Sequence, residues 1–210
     1  ASNLIKLLEG GWFPLLIGGI VYCVMLTWYD GRMLMNHALQ EGSIGLQSMM
    51  SSLCMDFPTR VSGTAVFLAS VPGVAPNALL HNLKHNKVLH DVNLFVTVEM
   101  HEVPWVGLTH RIQVEKLAKN SWQVVVHYGF KNDMDLPKAL SLLEPHGVKL
   151  DPMTTSYFIS RDKLVPDGSG GMALWRERLF AQMLRNSSSL GDYLNLPSNA
   201  VVELGSQVSL

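Results

Sequence analysis

Residues 10–28, GGWFPLLIGGIVYCVMLTW, hold no Asp, Glu, Lys or Arg. A helix rises about 1.5 Å per residue, so the run is close to the ~20 apolar residues needed to cross a bilayer. In hydrocarbon no water is present to satisfy a peptide group, which leaves an α-helix as the form a lone span can take. Trp12 at one end, and Trp28 with Tyr29 at the other, stand where amphipathic rings settle at membrane interfaces. Gly18 and Gly19 fit close helix packing inside a membrane bundle.

Two rival readings are weaker. A signal peptide has a shorter apolar core and a small-residue cleavage site, whereas here Asp30, Gly31 and Arg32 follow directly. A buried helix of a soluble protein passes the same hydropathy test, but the paired interfacial aromatics favour the span. Lys6 precedes the run and Arg32 follows it, so charge does not orient it.

The rest of the chain is of ordinary mixed composition. Overall, 48% hydrophobic residues against 16% charged provide for a real core, which argues against disorder. A net charge of -1 leaves no basic footprint for DNA or RNA, so nucleic acid is not an expected partner. With Cys23 and Cys54 alone, a disulfide framework does not hold the fold, and a reducing compartment fits. The opening residues, with no initiator Met, read as the inside of a longer polypeptide.

Residues 33–53 place Met35, Leu39, Leu46, Met49, Met50 and Leu53 at roughly helical spacing, interrupted by Gly42 and Gly45. This is a broken amphipathic connector, suited either to a membrane surface or to packing on the following domain. Beyond Pro58, residues 64–70 (TAVFLAS) form a short apolar run of the kind that fills a strand buried on both faces. Pro72 and Pro76 end it, and Asn77 is placed to cap a helix running to about Lys87.

A strand is expected at residues 92–98, and residues 111–117 and 122–128 flank a short Lys119-Asn120-Ser121 connection as an antiparallel hairpin. Asp135 with Pro137 starts another helix and Gly147 stops it. Residues 155–160 give a strand, and 172–184 an amphipathic helix packed on the sheet, with Met172, Trp175, Leu179, Phe180 and Met183 on its apolar face. Residues 200–204 give a last strand. The expected architecture is α/β, with helices on a mixed, largely parallel sheet.

His81 and His85, one helical turn apart, and His90 beyond them form the densest cluster of candidate ligands. Two imidazoles at that spacing can share a metal, but the local motif lacks the carboxylate or thiolate that would complete a zinc site. The same residues, with Lys84 and Lys87, serve equally as a polar helix surface, or as an anion or nucleotide site at a helix that follows a strand end. Neither G-x-x-x-x-G-K-[ST] nor G-x-G-x-x-G occurs, and Gly168-Ser169-Gly170-Gly171 reads as a flexible turn. No serine sits in a G-x-S-x-G elbow and Cys54 has no evident activating base near it in sequence, so no catalytic residue, metal ligand or cofactor site is assigned and an enzyme is not expected.

Several ordered motifs together resemble the Kup/HAK/KT potassium uptake permeases along essentially the whole chain. They are Gly10-Gly11-Trp12-Phe13-Pro14, Gly63-Thr64-Ala65-Val66-Phe67-Leu68, His81 through His90, Tyr128-Gly129-Phe130, Thr155-Ser156-Tyr157-Phe158, Trp175-Arg176-Glu177 and Val202-Glu203-Leu204-Gly205. The resemblance implies a multi-pass bacterial inner-membrane protein that imports potassium together with protons and ends in a cytoplasmic domain. In those terms residues 1–30 are the last transmembrane span with its flanks, 31–57 the amphipathic connector, and 58–210 the cytoplasmic α/β domain. The domain is expected to serve assembly or regulation, as a homodimer and with a regulatory nucleotide as a further possible partner. The family's ion-coordinating spans lie outside this sequence, so no transport residue carries over. The alternative is a membrane-anchored nucleotide-sensing or interaction module without transport activity.

Overall fold

A computed structural model describes residues 11–41, 43–55, 59–165, 171–187 and 190–209. They fall into two compact units, the first drawn from Ala1–Gly42, Lys163–Ser187 and Gln207–Leu210, the second from Ser43–Asp162 and Ser188–Ser206.

In the first unit the apolar run is one helix, α1 (Trp12–Glu41), 30 residues long. Its Trp12–Leu39 stretch is long and apolar enough to cross a membrane, and only 6% of its most apolar window is buried inside the protein. A soluble core helix would show the reverse. At about 1.5 Å per residue α1 is longer than the ~30 Å hydrocarbon thickness, so a crossing would need only part of it. The sequence reading closed the span's segment at residue 30, but the helix passes straight through Asp30-Gly31-Arg32. A Cβ at Gly31 would stand 2.5 Å from the Phe180 ring, so glycine here permits a close approach. Phe180, fully buried, lies on α5 (Leu174–Arg185). The sequence reading packed this helix on the sheet. The residues that bury it are Leu34 and Ala38 of α1, with Met172 and, from the end of a strand (residues 155–165), Leu164, and Trp175 is exposed.

The second unit carries a six-stranded sheet built from β1 (Thr59–Ala69), β2 (Val88–His101), β3 (Ile112–Ala118), β4 (Ser121–Gly129), β5 (Thr155–Val165) and β6 (Val201–Ser209), in the order β3-β4-β2-β1-β5-β6. β1 pairs in parallel with β2 and β5, β2 pairs in parallel with β4, and β3 pairs antiparallel with β4. This is the expected mixed, largely parallel sheet. The strands outrun their apolar cores: β2 covers 14 residues where periodicity marks only its buried centre.

The continuous apolar run of β1 is explained by cores on both faces. Val66 faces a cluster with Leu94, Val96, Val124, Val126 and Tyr128. Ala65 and Phe67 face the other, where Phe67 stacks on Phe95 at 5.9 Å and Phe158 at 4.8 Å. Onto this second cluster α2 (Leu46–Met55) buries Leu46 and Met50. The connector thus breaks near its glycines as expected, and its second helix packs on the sheet, one of the two roles its pattern allowed. At Gly63 the β1–β2 register shifts, with φ +108.

After β1, α3 (Asn77–His85) begins with Asn77 as its first helical residue, and Pro76 holds the cap position without a side-chain bond. The expected asparagine cap is therefore not formed, because Asn77 is already inside the helix. At α4 (Leu136–Leu140) the reading holds: Asp135 accepts from the Lys138 amide at 2.9 Å. A 3-10 turn (Ser141–His146) continues from α4 and ends at Gly147, φ +80. The Tyr128 hydroxyl donates to the Asp135 carbonyl at 3.0 Å, and burial raises its pKa against the opposing pull of Arg111. A short α6 (Leu190–Tyr193) precedes β6.

Candidate functional site

Side-chain hydrogen bonds join α1 to another element where α5 meets it. A carboxylate at the bilayer centre costs several kcal/mol, so Asp30 and Arg32 mark the end of the hydrocarbon run. Just there, Arg176 reaches across from α5. Its Nη2 donates to Asp30 Oδ2 at 2.7 Å and its Nε to Thr27 Oγ1 at 3.1 Å. Thr27 is fully buried, and its hydroxyl donates in turn to the Cys23 carbonyl at 2.8 Å, one helical turn back.

The placement of Arg176 needs this partner. It stands in the first turn of α5, where the partial positive charge of a helix start repels a cation. Asp30 compensates the guanidinium, and Glu177 supplies an acid within that same first turn. One fork thereby reads two positions, three residues apart, on a single face of α1, which a lysine's point charge cannot do. Trp28 lies between them in sequence and meets the Phe180 ring edge at 5.6 Å, while the Arg32 guanidinium sits 5.9 Å from the centre of the Trp28 ring. Polar latch and aromatic packing together clamp α5 to α1 just past its uncharged run.

The residues singled out from sequence are arranged differently. His81 and His85 do share one face of α3, with parallel rings 6.0 Å apart. His90 does not join them. It lies on β2, edge-on to Phe158 at 5.6 Å, and burial lowers its pKa while Asp91 pulls it upward. The cluster that looked densest in sequence is thus divided between a helix surface and a strand. Of the Gly-rich turn only Gly171 is described, with φ +79, and the Cys54 side chain lies outside the described residues.

Arg176 was visible in the sequence as a member of the Trp175-Arg176-Glu177 motif, and Asp30 as a flank of the span, with nothing to join the two. The signal that could have joined them is weak: a basic residue in a helix's first turn, needing an acid.

The description "K+ potassium transporter C-terminal domain" matches residues 62–210, and "K+ potassium transporter integral membrane domain" matches residues 1–33. All 210 residues align at 59% identity with 34% of a protein named "Probable potassium transport system protein Kup" from Verminephrobacter eiseniae (strain EF01-2). A protein of the same name from Paracidovorax citrulli (strain AAC00-1) is 60% identical over 209 residues, again 34% of its length. One from Nitrosospira multiformis (strain ATCC 25196 / NCIMB 11849 / C 71) is 48% identical over 210 residues, 33% of its length. The chain spans about a third of the length of the curated relatives it matches. No solved structure matches it.

Proposed function

The chain belongs to the K+ potassium transporter family, and from that premise we propose that it is the last membrane span and C-terminal domain of a potassium uptake transporter. The observation that supports this best is the latch. A helix matched by the C-terminal-domain description holds, through Arg176, the end of a helix matched by the membrane-domain description. An anchored sensing module gives no reason for the span itself to match a transporter's membrane domain, so that alternative is not favoured.

In this reading α5 passes the state of the C-terminal domain to the span, and the domain regulates or assembles the transporter. Ion transfer itself belongs elsewhere. Potassium needs a cage of oxygen ligands along a protein-lined path, and one helix with no carboxylate in residues 10–28 cannot enclose one. The whole transporter is proposed as a multi-pass protein of the bacterial inner membrane that couples potassium to proton entry, with the C-terminal domain in the cytoplasm. A homodimer and a regulatory nucleotide belong to the same proposal. We assign the domain no enzymatic activity.

The test is rubidium uptake by the full-length transporter carrying Arg176→Ala, beside a deletion of residues 62–210. Altered maximal uptake or altered control, with half-saturating rubidium unchanged, is the expected result. A deletion that abolishes rubidium binding by correctly inserted protein would overturn the division of labour.

A further inference from the structure

On the sheet face that carries Phe95, three side chains converge beyond the core. Glu99 and His127 are paired residues of the parallel strands β2 and β4, so their side chains leave the sheet on the same side. His101 follows Glu99 by two residues and shares that side. His127 Nδ1 lies 2.9 Å from His101 Nε2 and 3.5 Å from Glu99 Oε2. One ligand atom from each residue falls within 4.8 Å of the others, the one such group of three among the described residues.

We propose that Glu99, His101 and His127 form a binding site for a first-row divalent transition ion, with Zn2+ as the test ion. Tetrahedral zinc with bonds of about 2.0–2.1 Å spaces its ligand atoms roughly 3.3 Å apart. The two separations from His127, 2.9 and 3.5 Å, straddle that edge, and the third lies within 4.8 Å, so side-chain movement with no change of backbone seats the ion. Two imidazoles and one carboxylate are a donor set suited to zinc, and with His101 exposed the fourth position is open to water or a further ligand. The 2.9 Å contact between the rings needs a proton on one of the two nitrogens, whereas a cation is held by the lone pairs of both nitrogens and of the Glu99 carboxylate together.

The scaffold beneath the site is fastened. Phe130 and Lys131 donate backbone N–H groups to the carbonyls of Val103 and Pro104, and Asn132 Oδ1 accepts from the amides of Gly129 and Val106. The loop after β2 is thereby tied to the loop after β4, which fixes the strand ends that present the ligands. Sequence reading passed over these residues because two come from one strand and the third from another, 26 positions on from His101.

The experiment uses the complete chain, purified in detergent without a histidine tag on a Cys23→Ser/Cys54→Ser background. Zn2+ is titrated against a chromophoric chelator, and Co2+ serves as the spectroscopic probe. The expected result is one ion per chain, with strong visible absorption from low-coordinate Co2+. His127→Ala and His101→Ala should each weaken binding by more than the roughly 10–100-fold that loss of a supporting partner costs. Exposed His101 keeps its variant informative if His127→Ala fails to fold. His81→Ala/His85→Ala, which removes the stacked pair on α3, should leave binding intact. Binding that disappears in that double variant and survives in the other two overturns the assignment, and so does a chain that competes for Zn2+ no better than free imidazole.

Discussion

Arg176 Nη2 lies 2.7 Å from Asp30 Oδ2 although 146 residues separate the two in sequence. The contact is partly solvated, with the Asp30 side chain 42% exposed, so its strength is that of a screened surface pair more than of a buried one. A double-mutant cycle of Arg176→Ala and Asp30→Asn in the 210-residue chain should give a coupling of about 0.5–1 kcal/mol, read from thermal unfolding. Arg176→Lys should lose most of that coupling, since an ammonium lacks the fork that engages Thr27 as well.

Gly31→Ala should loosen the same junction by steric means. The new methyl meets the Phe180 ring at 2.5 Å, and the ring is fully buried. Overpacking of this kind costs about 1–3 kcal/mol. Gly18→Ala is the control, because nothing in the chain lies within 4 Å of a Cβ there. Limited proteolysis in detergent should cut the Gly31 variant faster around α5, and Phe180→Leu in the same chain should restore part of the protection. Equal protection of both glycine variants would show that the helices are not in close contact.

Gly63→Ala tests the register shift of β1. At φ +108 a side chain is strained, and its Cβ would stand 2.6 Å from the Thr154 carbonyl oxygen, a backbone atom that cannot swing aside. Thr64 donates its amide to that same carbonyl at 3.0 Å, so relief of the clash also breaks a backbone bond. A loss of roughly 2 kcal/mol or more is expected from strain and the broken bond together, measured as a lower urea midpoint.

Much of this architecture was legible, and the failures share a cause. The apolar run of β1, the hairpin between β3 and β4, and the Asp135 cap are local signals: a neighbour within a few residues decides each. The sequence reading marked the apolar part of α1 and left open how far the helix runs, since its continuation past Gly31 is set by Phe180, which lies beside that glycine. The sequence reading gave α5 the sheet as its partner and left out α1, because an apolar stripe shows that a helix is buried and not against what. The Glu99–His101–His127 group was missed for the same reason, since strand pairing, not spacing along the chain, assembles it.

His90 gives a pH dependence whose sign can be stated. Its folded pKa is lowered by burial, partly offset by Asp91, so protonation is harder in the fold than in the unfolded chain. The unfolded state therefore binds more protons as pH falls below about 6.5, and stability present above that pH is lost as it drops through the folded pKa. The slope contributed by one group cannot exceed about 1.4 kcal/mol per pH unit. Unfolding midpoints between pH 7.5 and 5 should fall less steeply for His90→Gln than for the parent chain. Parallel curves would remove His90 from the account.

Membrane insertion of α1 is the prediction on which the functional reading leans most. Ile20 sits in the middle of the uncharged run and is 58% exposed, so the protein itself offers it no burial within this chain. Ile20→Arg places a cation at the depth where translocon insertion is penalised by about 2.5–3.5 kcal/mol. Glycosylation-site mapping in microsomes should show the substituted segment inserted far less often, roughly in the ratio of 1.4 kcal/mol per tenfold. An arginine at Tyr29 should be tolerated, because that position lies beside Asp30 and Arg32 at the interface, where a long cationic side chain reaches water. If Ile20→Arg inserts as well as the parent, α1 is no span, and the latch at Arg176 then joins two helices of a soluble unit instead of gripping a membrane helix.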